Sequence, residues 1–341
     1  MKDGFMKRNI NLKGRPLLTL RDLSEEEIAY LLELTEKLKR KKAAGIRGQL
    51  LDRKNIALVF EKMSTRTRCA AAVAAADEGG RAEYLSLHEI HLGKKESPAD
   101  TARVLGRMFD GILFRGYAQR TVELLAQHSG VPVWNGLTDE AHPTQALADL
   151  FTIQENFGCL KGLKVVYVGD GRNNVANSLM EGCAKAGIHF VNCTPSVLSP
   201  LPDLVERARR AAAGTGGSVS IVHEPAAAVV GANVLYTDVW VSMGEEAKQA
   251  ERLALLRPYQ VNMGLVRRTG NLDAGRVIFL HCLPAFHDQN TELTRQTGAL
   301  EVTDDVFEAP FSRVFDEAEN RLHTLKAIFA SSLCEAAELA V

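Results

Sequence analysis

Residues 163–187 read LKVVYVGDGRNNVANSLMEGCAKAG, and their reading decides the fold. The apolar run from Leu163 to Val168 has the length and β-branched content of a buried strand. Gly169, Asp170 and Gly171 supply a tight turn, and the residues that follow have helical spacing up to Gly187. The same alternation extends in both directions. IHFVNCTP (188–195), NVLYTDVW (233–240) and RVIFLHCLP (276–284) read as strands, and DLVERARRAAAG (203–214) as a helix. Toward the N-terminus, KNIALVF (54–60), RAEYLSL (81–87) and GILFRG (111–116) read as strands. CAAAVAAADEGG (69–80), SPADTARVLGRMF (97–109) and HPTQALADLFTIQENFG (142–158) are the intervening helices. Ser24 and Glu27 have capping-box spacing ahead of a helix lined by Ile28, Leu31 and Leu32. This alternation predicts an α/β protein with two doubly wound parallel-sheet domains, residues 1–150 and 151–318. ENRLHTLKAIFASSL (319–333) places Leu322, Leu325 and Phe329 on one face. The stretch reads as an amphipathic docking helix, and residues 319–341 are expected to form a C-terminal helix that packs back on the first domain.

Composition narrows the function classes. Among 341 residues, 41 basic and 42 acidic side chains leave a net charge of −1. Such balance offers no general attraction to nucleic acid or to anionic membranes, so any anion binding is local. No apolar run reaches membrane-spanning length, and MKDGFMKRNINLKGRP lacks the apolar core of a signal peptide. Six cysteines without CxxC or CxH spacing read as reduced thiols, so no zinc or other metal site and a cytoplasmic location are expected. VVYVGDGRNN resembles a dinucleotide-binding turn through Gly169 and Gly171. The third glycine is missing, however, and the next strand offers Asn192 where an acidic ribose ligand belongs. No cofactor is expected.

EKMSTRTRC (61–69) sits between a strand and a helix start, the position where parallel α/β sheets bind ligands. The first turn of a helix offers unpaired N–H groups and the positive end of its dipole. Ser64, Thr65 and Thr67 add hydroxyls, and Arg66 adds a fork that fits phosphate oxygens. A solvated helix cap rich in Ser and Thr has the same composition. Other polar residues fall at similar places: Arg115 after GILF, His142 and Gln145 three apart at a helix start, Cys282 after a buried run, and Arg321 in the last helix. Singly each also fits a structural role. Together they describe an apolar-walled site with several cationic or donor groups.

At this point the chain resembles a known family. STRTR, LGKKESPADTARVLGRMFDGILFRG, VWNGLTDEAHPTQALADL, TDVWVSMGE, HCLPAFHD and VFDEAENRLHT, in that order, are similar to the aspartate/ornithine carbamoyltransferases. The similarity runs from about residue 15 to the C-terminus. DVWVSMG and HCLP narrow it to the ornithine branch. The resemblance implies transfer of the carbamoyl group of carbamoyl phosphate to the δ-amine of L-ornithine, giving L-citrulline and phosphate. Carbamoyl phosphate would be held by Ser64, Thr65, Arg66, Thr67, Arg115, His142, Gln145, Cys282, Leu283 and Arg321. His91 would reach into a neighbouring subunit's site, which implies a homotrimer with active sites at subunit interfaces. Ornithine would be held by Asn174, Asp238, Ser242 and Met243. The catalytic group would be Arg66, Thr67, Arg115, His142 and Cys282.

Three rivals are weighed against this expectation. A nucleotide-dependent dehydrogenase lacks its glycine pattern, and a non-catalytic relative would be expected to lose STRT, HPTQ or HCLP, all of which are intact. A putrescine or other amine carbamoyltransferase is the near alternative, and the SMG at 242–244 argues against the putrescine enzyme. One departure is Ala71, Ala72 and Ala76, where relatives carry bulkier or acidic residues.

Overall fold

The computed structural model describes residues 10–87, 89–90, 92–93, 95–241, 249–292 and 294–339. The chain divides into two compact units, Met1–Leu147 with Arg321–Val341 and Ala148–Asn320. The divisions fall inside the helices Pro143–Phe157 and Val314–Leu333.

The first unit holds a four-stranded parallel sheet of β1 (Asn55–Phe60), β2 (Arg81–Ser86), β3 (Gly111–Arg115) and β4 (Val133–Leu137). Spatial order is β2-β1-β3-β4, so the chain reverses its winding direction between β1 and β3. β1 and β3 are almost wholly buried, as continuous apolar runs in a parallel sheet must be. The helix Arg66–Asp77 lies against β1 and β2 with Ala70, Ala71, Ala74 and Ala75 buried. Small side chains there let the helix approach the sheet. Ala71 is fully buried, whereas Ala76 is exposed, so the alanine-rich departure has a packing role at the first position.

The second unit holds five parallel strands: β5 (Lys164–Val168), β6 (His189–Cys193), β7 (Ser218–Val222), β8 (Val234–Thr237) and β9 (Ile278–His281). Their order is β7-β6-β5-β8-β9, with the reversal between β5 and β8. Both units are therefore doubly wound, as the strand–helix alternation predicts, and each has a switch point at the carboxyl ends of two adjacent strands. Among the described residues no helix is long and apolar enough to cross a membrane.

Some elements depart from the sequence reading. VWNGL forms β4 although Asn135 and Gly136 are poor strand formers. The strand tolerates them because the Asn135 amide donates to Leu18 O at 3.0 Å and to Gln119 Oε1 and Thr138 Oγ1 at 3.3 Å. At Gly136 an added Cβ would stand 3.0 Å from the Phe114 carbonyl oxygen. The last long helix begins at Val314, ahead of Glu319.

Helices Pro98–Met108 and Gln119–Ser129 cross closely at Gly106, where an added Cβ would lie 1.7 Å from the Ser129 carbonyl oxygen. Backbone cannot yield cheaply there, so Gly106→Ala is expected to destabilise the protein by about 1–3 kcal/mol. Equilibrium denaturation in urea measures this, and a variant as stable as the parent would contradict the packing.

Candidate active site

The residues expected to carry chemistry fall into two groups, one in each unit. In the first unit the helix Arg66–Asp77 begins directly after the β1 loop. Ser64 Oγ accepts the Thr67 N–H at 3.1 Å, while Thr65 stands at the N-cap without a side-chain capping bond. The remaining first-turn amides and the positive helix end lie at the carboxyl edge of the sheet. Arg115 ends β3, in register with Phe60 at the end of β1. The fully buried Thr67 hydroxyl accepts from Arg115 Nη1 at 3.4 Å and from Arg321 Nη2 at 2.5 Å. Arg115 and Arg321 are themselves buried. The strand order brings the first guanidinium to this hydroxyl, and the last long helix brings the second.

His142 immediately precedes helix Pro143–Phe157, and its carbonyl accepts the Gln145 N–H at 3.1 Å. Both side chains are buried, and His142 Nδ1 lies 3.4 Å from Thr144 Oγ1. Burial, then the charges of Arg321, Arg115 and Arg66, hold the imidazole well below its usual range. His142 is therefore neutral at neutral pH and has a ring N–H to donate. Lys62, also buried, pairs with Asp139 at 2.6 Å and lies 4.2 Å above the Tyr117 ring. That pair ties the STRT approach to the turn before His142. Arg68 instead stacks over Tyr84 at 3.7 Å.

In the second unit Asp238 follows β8 and Cys282 follows β9, and Cys282 Sγ donates to Asp238 Oδ1 at 3.0 Å. Burial and the Asp238 charge push the thiol well up, so the sulfur is a neutral donor at neutral pH. Leu283 has a φ of 58°, a left-handed conformation that costs about 1–2 kcal/mol for an L-residue. His281 holds it there: Nδ1 accepts the Leu283 N–H at 2.9 Å, which leaves the ring proton on Nε2, 3.2 Å from Glu301 Oε1. Glu301 Oε1 also accepts the Phe286 N–H at 2.7 Å, so one buried pair sets the HCLP loop.

Asn174 is the first residue of helix Asn174–Lys185, after β5. Asn173 caps that helix by accepting the Val175 N–H at 2.7 Å. Buried Arg252 joins two segments of this group. Its Nε donates to the Trp240 carbonyl at 2.7 Å, and its Nη2 pairs with Asp170 of the DGRNN turn. His91, Ser242 and Met243 lie outside the described residues. Among those described, Asp238, His281 and Cys282 come close enough to share a cation. Their donor atoms, however, are engaged with one another and with the Leu283 amide.

Both halves of the chain match models of one family. Residues 15–155 match "Aspartate/ornithine carbamoyltransferase, carbamoyl-P binding domain", and residues 161–332 match the "Asp/Orn binding domain" of the same family. The chain belongs to the aspartate/ornithine carbamoyltransferase family. The resemblance read from STRTR through VFDEAENRLHT is thereby borne out. Within the family, a Bacillus licheniformis protein named a catabolic ornithine carbamoyltransferase is 58% identical over 96% of this chain and 99% of its own. A Bacillus cereus protein of the same name is 56% identical over 95% and 97%. The structure of a Pyrococcus furiosus ornithine carbamoyltransferase superposes with a TM-score of 0.88 at 46% identity, covering 95% of this chain and 98% of that one.

Reading the sequence of this family member did not single out Arg252, Lys62, or the His281–Glu301 pair. Asp170 stood in the quoted DGRNN turn, but nothing in the spacing linked it to a basic residue 82 positions on.

The state of His142 has a measurable consequence. An unfolded histidine titrates near 6.5, whereas the folded imidazole stays neutral far below that. Below pH 6.5 the unfolded chain takes up a proton that the folded chain refuses, so stability is lost as pH falls. The loss from this group between pH 7.5 and 5.5 is about 1.4 kcal/mol. His142→Gln is expected to lose that much less over the same interval in denaturant titrations. Parallel curves for the two proteins would contradict a buried neutral imidazole.

Proposed function

We infer that the chain transfers the carbamoyl group of carbamoyl phosphate to the δ-amine of L-ornithine, giving L-citrulline and phosphate. The observation that carries this reading is the Thr67 hydroxyl joined to Arg115 and Arg321 at a helix N-terminus, beside a neutral His142. Such a cluster fits an anion that also carries a carbonyl oxygen. In this reading residues 1–150 bind carbamoyl phosphate, residues 151–318 bind ornithine, and residues 319–341 return to the first domain. Ser64, Thr65, Arg66, Thr67 and Arg321 hold the phosphate, aided by the helix dipole. Gln145 and the backbone at Cys282 and Leu283 hold the carbamoyl NH₂ and its surroundings.

The δ-amine attacks the carbamoyl carbon in its neutral form, forming the C–N bond as negative charge grows on the carbonyl oxygen. Thr67, Arg115 and His142 donate to that oxygen, a role worth roughly 3–4 kcal/mol per donor. The C–O bond to phosphate then breaks with its electron pair on the phosphate oxygen, and the leaving phosphate takes up the amine proton to depart as the dianion HPO₄²⁻. No protein base is needed, which agrees with an imidazole held well below its usual range, and so a weak proton acceptor, and with a thiol that keeps its proton. Asp238 accepts from the α-ammonium of ornithine, Cys282 orients the δ-amine, and Asn174, Ser242 and Met243 complete that subsite. His91 acts in a neighbouring subunit's site of a homotrimer. The enzyme works in the cytoplasm within arginine metabolism, and the catabolic names of the two Bacillus relatives favour arginine breakdown over biosynthesis.

Two experiments test the reading. Offered ornithine, putrescine and aspartate in parallel with carbamoyl phosphate, the enzyme is expected to prefer ornithine and release citrulline. Preference for putrescine would overturn the substrate assignment and leave the phosphate assignment standing. Arg66→Ala is expected to lower kcat/KM by about two orders of magnitude or more, the scale of a lost charge-assisted contact to the transition state, while remaining folded. Wild-type kinetics in that variant would remove Arg66 from the site.

A further inference from the structure

Glu317 has no part in the substrate contacts proposed above, yet it is fully buried where β8 and β9 end. Its Oε2 accepts the His281 N–H at 2.9 Å, and its Oε1 accepts the Tyr236 hydroxyl at 3.1 Å. Tyr236 stands two residues before Asp238 on β8, and His281 immediately precedes Cys282 on β9. The strands pair in register, Tyr236 opposite Leu280 and Thr237 opposite His281. One carboxyl group thus clamps two strands just below the point where Cys282 Sγ meets Asp238 Oδ1.

A second buried carboxyl completes the clamp. Asp149 is hydrogen-bonded to Glu317 and lies 3.4 Å from the Tyr236 hydroxyl. Burial and the Asp149 charge push the Glu317 carboxyl well above its usual range, so the pair retains a proton at neutral pH. A protonated acid is far cheaper to bury than a carboxylate, and it offers a donor and acceptors at once. Tyr167, stacked 6.0 Å from Tyr236, and the Cys183 thiol near Asp149 are likewise held in their neutral forms. A buried acid pair is a costly way to join two strands if cohesion alone were required, because apolar residues of similar volume serve as well.

We propose that Glu317 is a positioning residue: by tying Tyr236 to the His281 amide it fixes the spacing of Asp238 and Cys282 and thereby the hold on the acceptor amine. This rests on the ornithine reading above. In Glu317→Gln the amide oxygen still accepts the His281 N–H, and the NH₂, a donor only, faces Asp149 and the Tyr236 oxygen while the Tyr236 O–H turns to Asp149, so both arms of the clamp are kept. Glu317→Leu leaves the His281 amide without its acceptor. Tyr236→Phe removes one arm and keeps the ring.

Steady-state kinetics on the full-length enzyme, with each substrate varied in turn, tests the proposal. For Glu317→Leu, kcat/KM for ornithine is expected to fall about 30-fold or more, with KM for carbamoyl phosphate within about twofold of wild type. Glu317→Gln is expected to recover to within about threefold, and Tyr236→Phe to lose about fivefold in the same parameter. A folded Glu317→Leu enzyme with unchanged ornithine kcat/KM would overturn the proposal. So would a loss shared equally by both substrates and not restored by Gln. Should Glu317→Leu fail to fold, Tyr236→Phe decides, and unchanged ornithine kinetics there would overturn it. Alkylation of Cys282, followed by peptide mapping, reads the clamp without substrate. A faster rate in Glu317→Leu or Tyr236→Phe than in wild type supports it, and equal rates count against it. A wild-type enzyme that made no citrulline would overturn the substrate reading alone, because the alkylation result stands apart from it.

Discussion

The arrangement at the first unit's sheet edge turns on the confinement of positive charge. Arg115 and Arg321 converge on one buried hydroxyl, and Arg66 adds its charge to theirs at His142. Two like charges about 4 Å apart repel by about 4 kcal/mol at the effective dielectric of a protein edge. Such a cluster is sustained by hydrogen bonds that fix each guanidinium and by a fold rigid enough to resist the repulsion. Burial first, and then the same field, keep His142 uncharged, which leaves the imidazole an N–H donor at neutral pH.

Parallel strands supply the rigidity. β1 and β3 lie side by side at one winding reversal, and β5 and β8 at the other. Each pair therefore presents two loop starts a single strand spacing apart. STRT and Arg115 sit at the first pair of ends, and the DGRNN turn and Asp238 at the second. The polar contacts that support these loops are local to each unit: Lys62 with Asp139, Arg252 with Asp170 and Trp240, and His281 with Glu301.

How much of this the sequence disclosed follows from separation along the chain. β1, β3, β5 and β8 are continuous apolar runs, and adjacent residues suffice to recognise them. β4 hid behind Asn135 and Gly136, whose place in a strand depends on partners such as Leu18 and Gln119. β7 is a sheet-edge strand with a half-exposed face, so its apolar content is diluted. In the site, the helix start at STRT was legible from strand and hydroxyls in succession. That Arg321 reaches Thr67 across 254 residues is invisible to spacing, and it was the family pattern that gave the two one ligand. Arg252 and Glu317 act on main-chain groups of distant segments, and contacts of that kind leave no periodic signature. Ser242, Met243 and His91 rest on the family pattern alone.

The Thr67 hydroxyl carries a further implication. An alcohol oxygen has two lone pairs and one proton, and here both lone pairs face guanidinium donors. An O–H that ordinarily rotates among partners is thereby frozen, and its proton has one remaining direction. The side chain has become a one-way donor, aimed by its neighbours rather than by whatever arrives. Serine would supply the same oxygen, but without the methyl group that helps hold the rotamer in this dry corner of the fold. Directionality of a single proton, set before any substrate binds, is what the crowd of arginines provides.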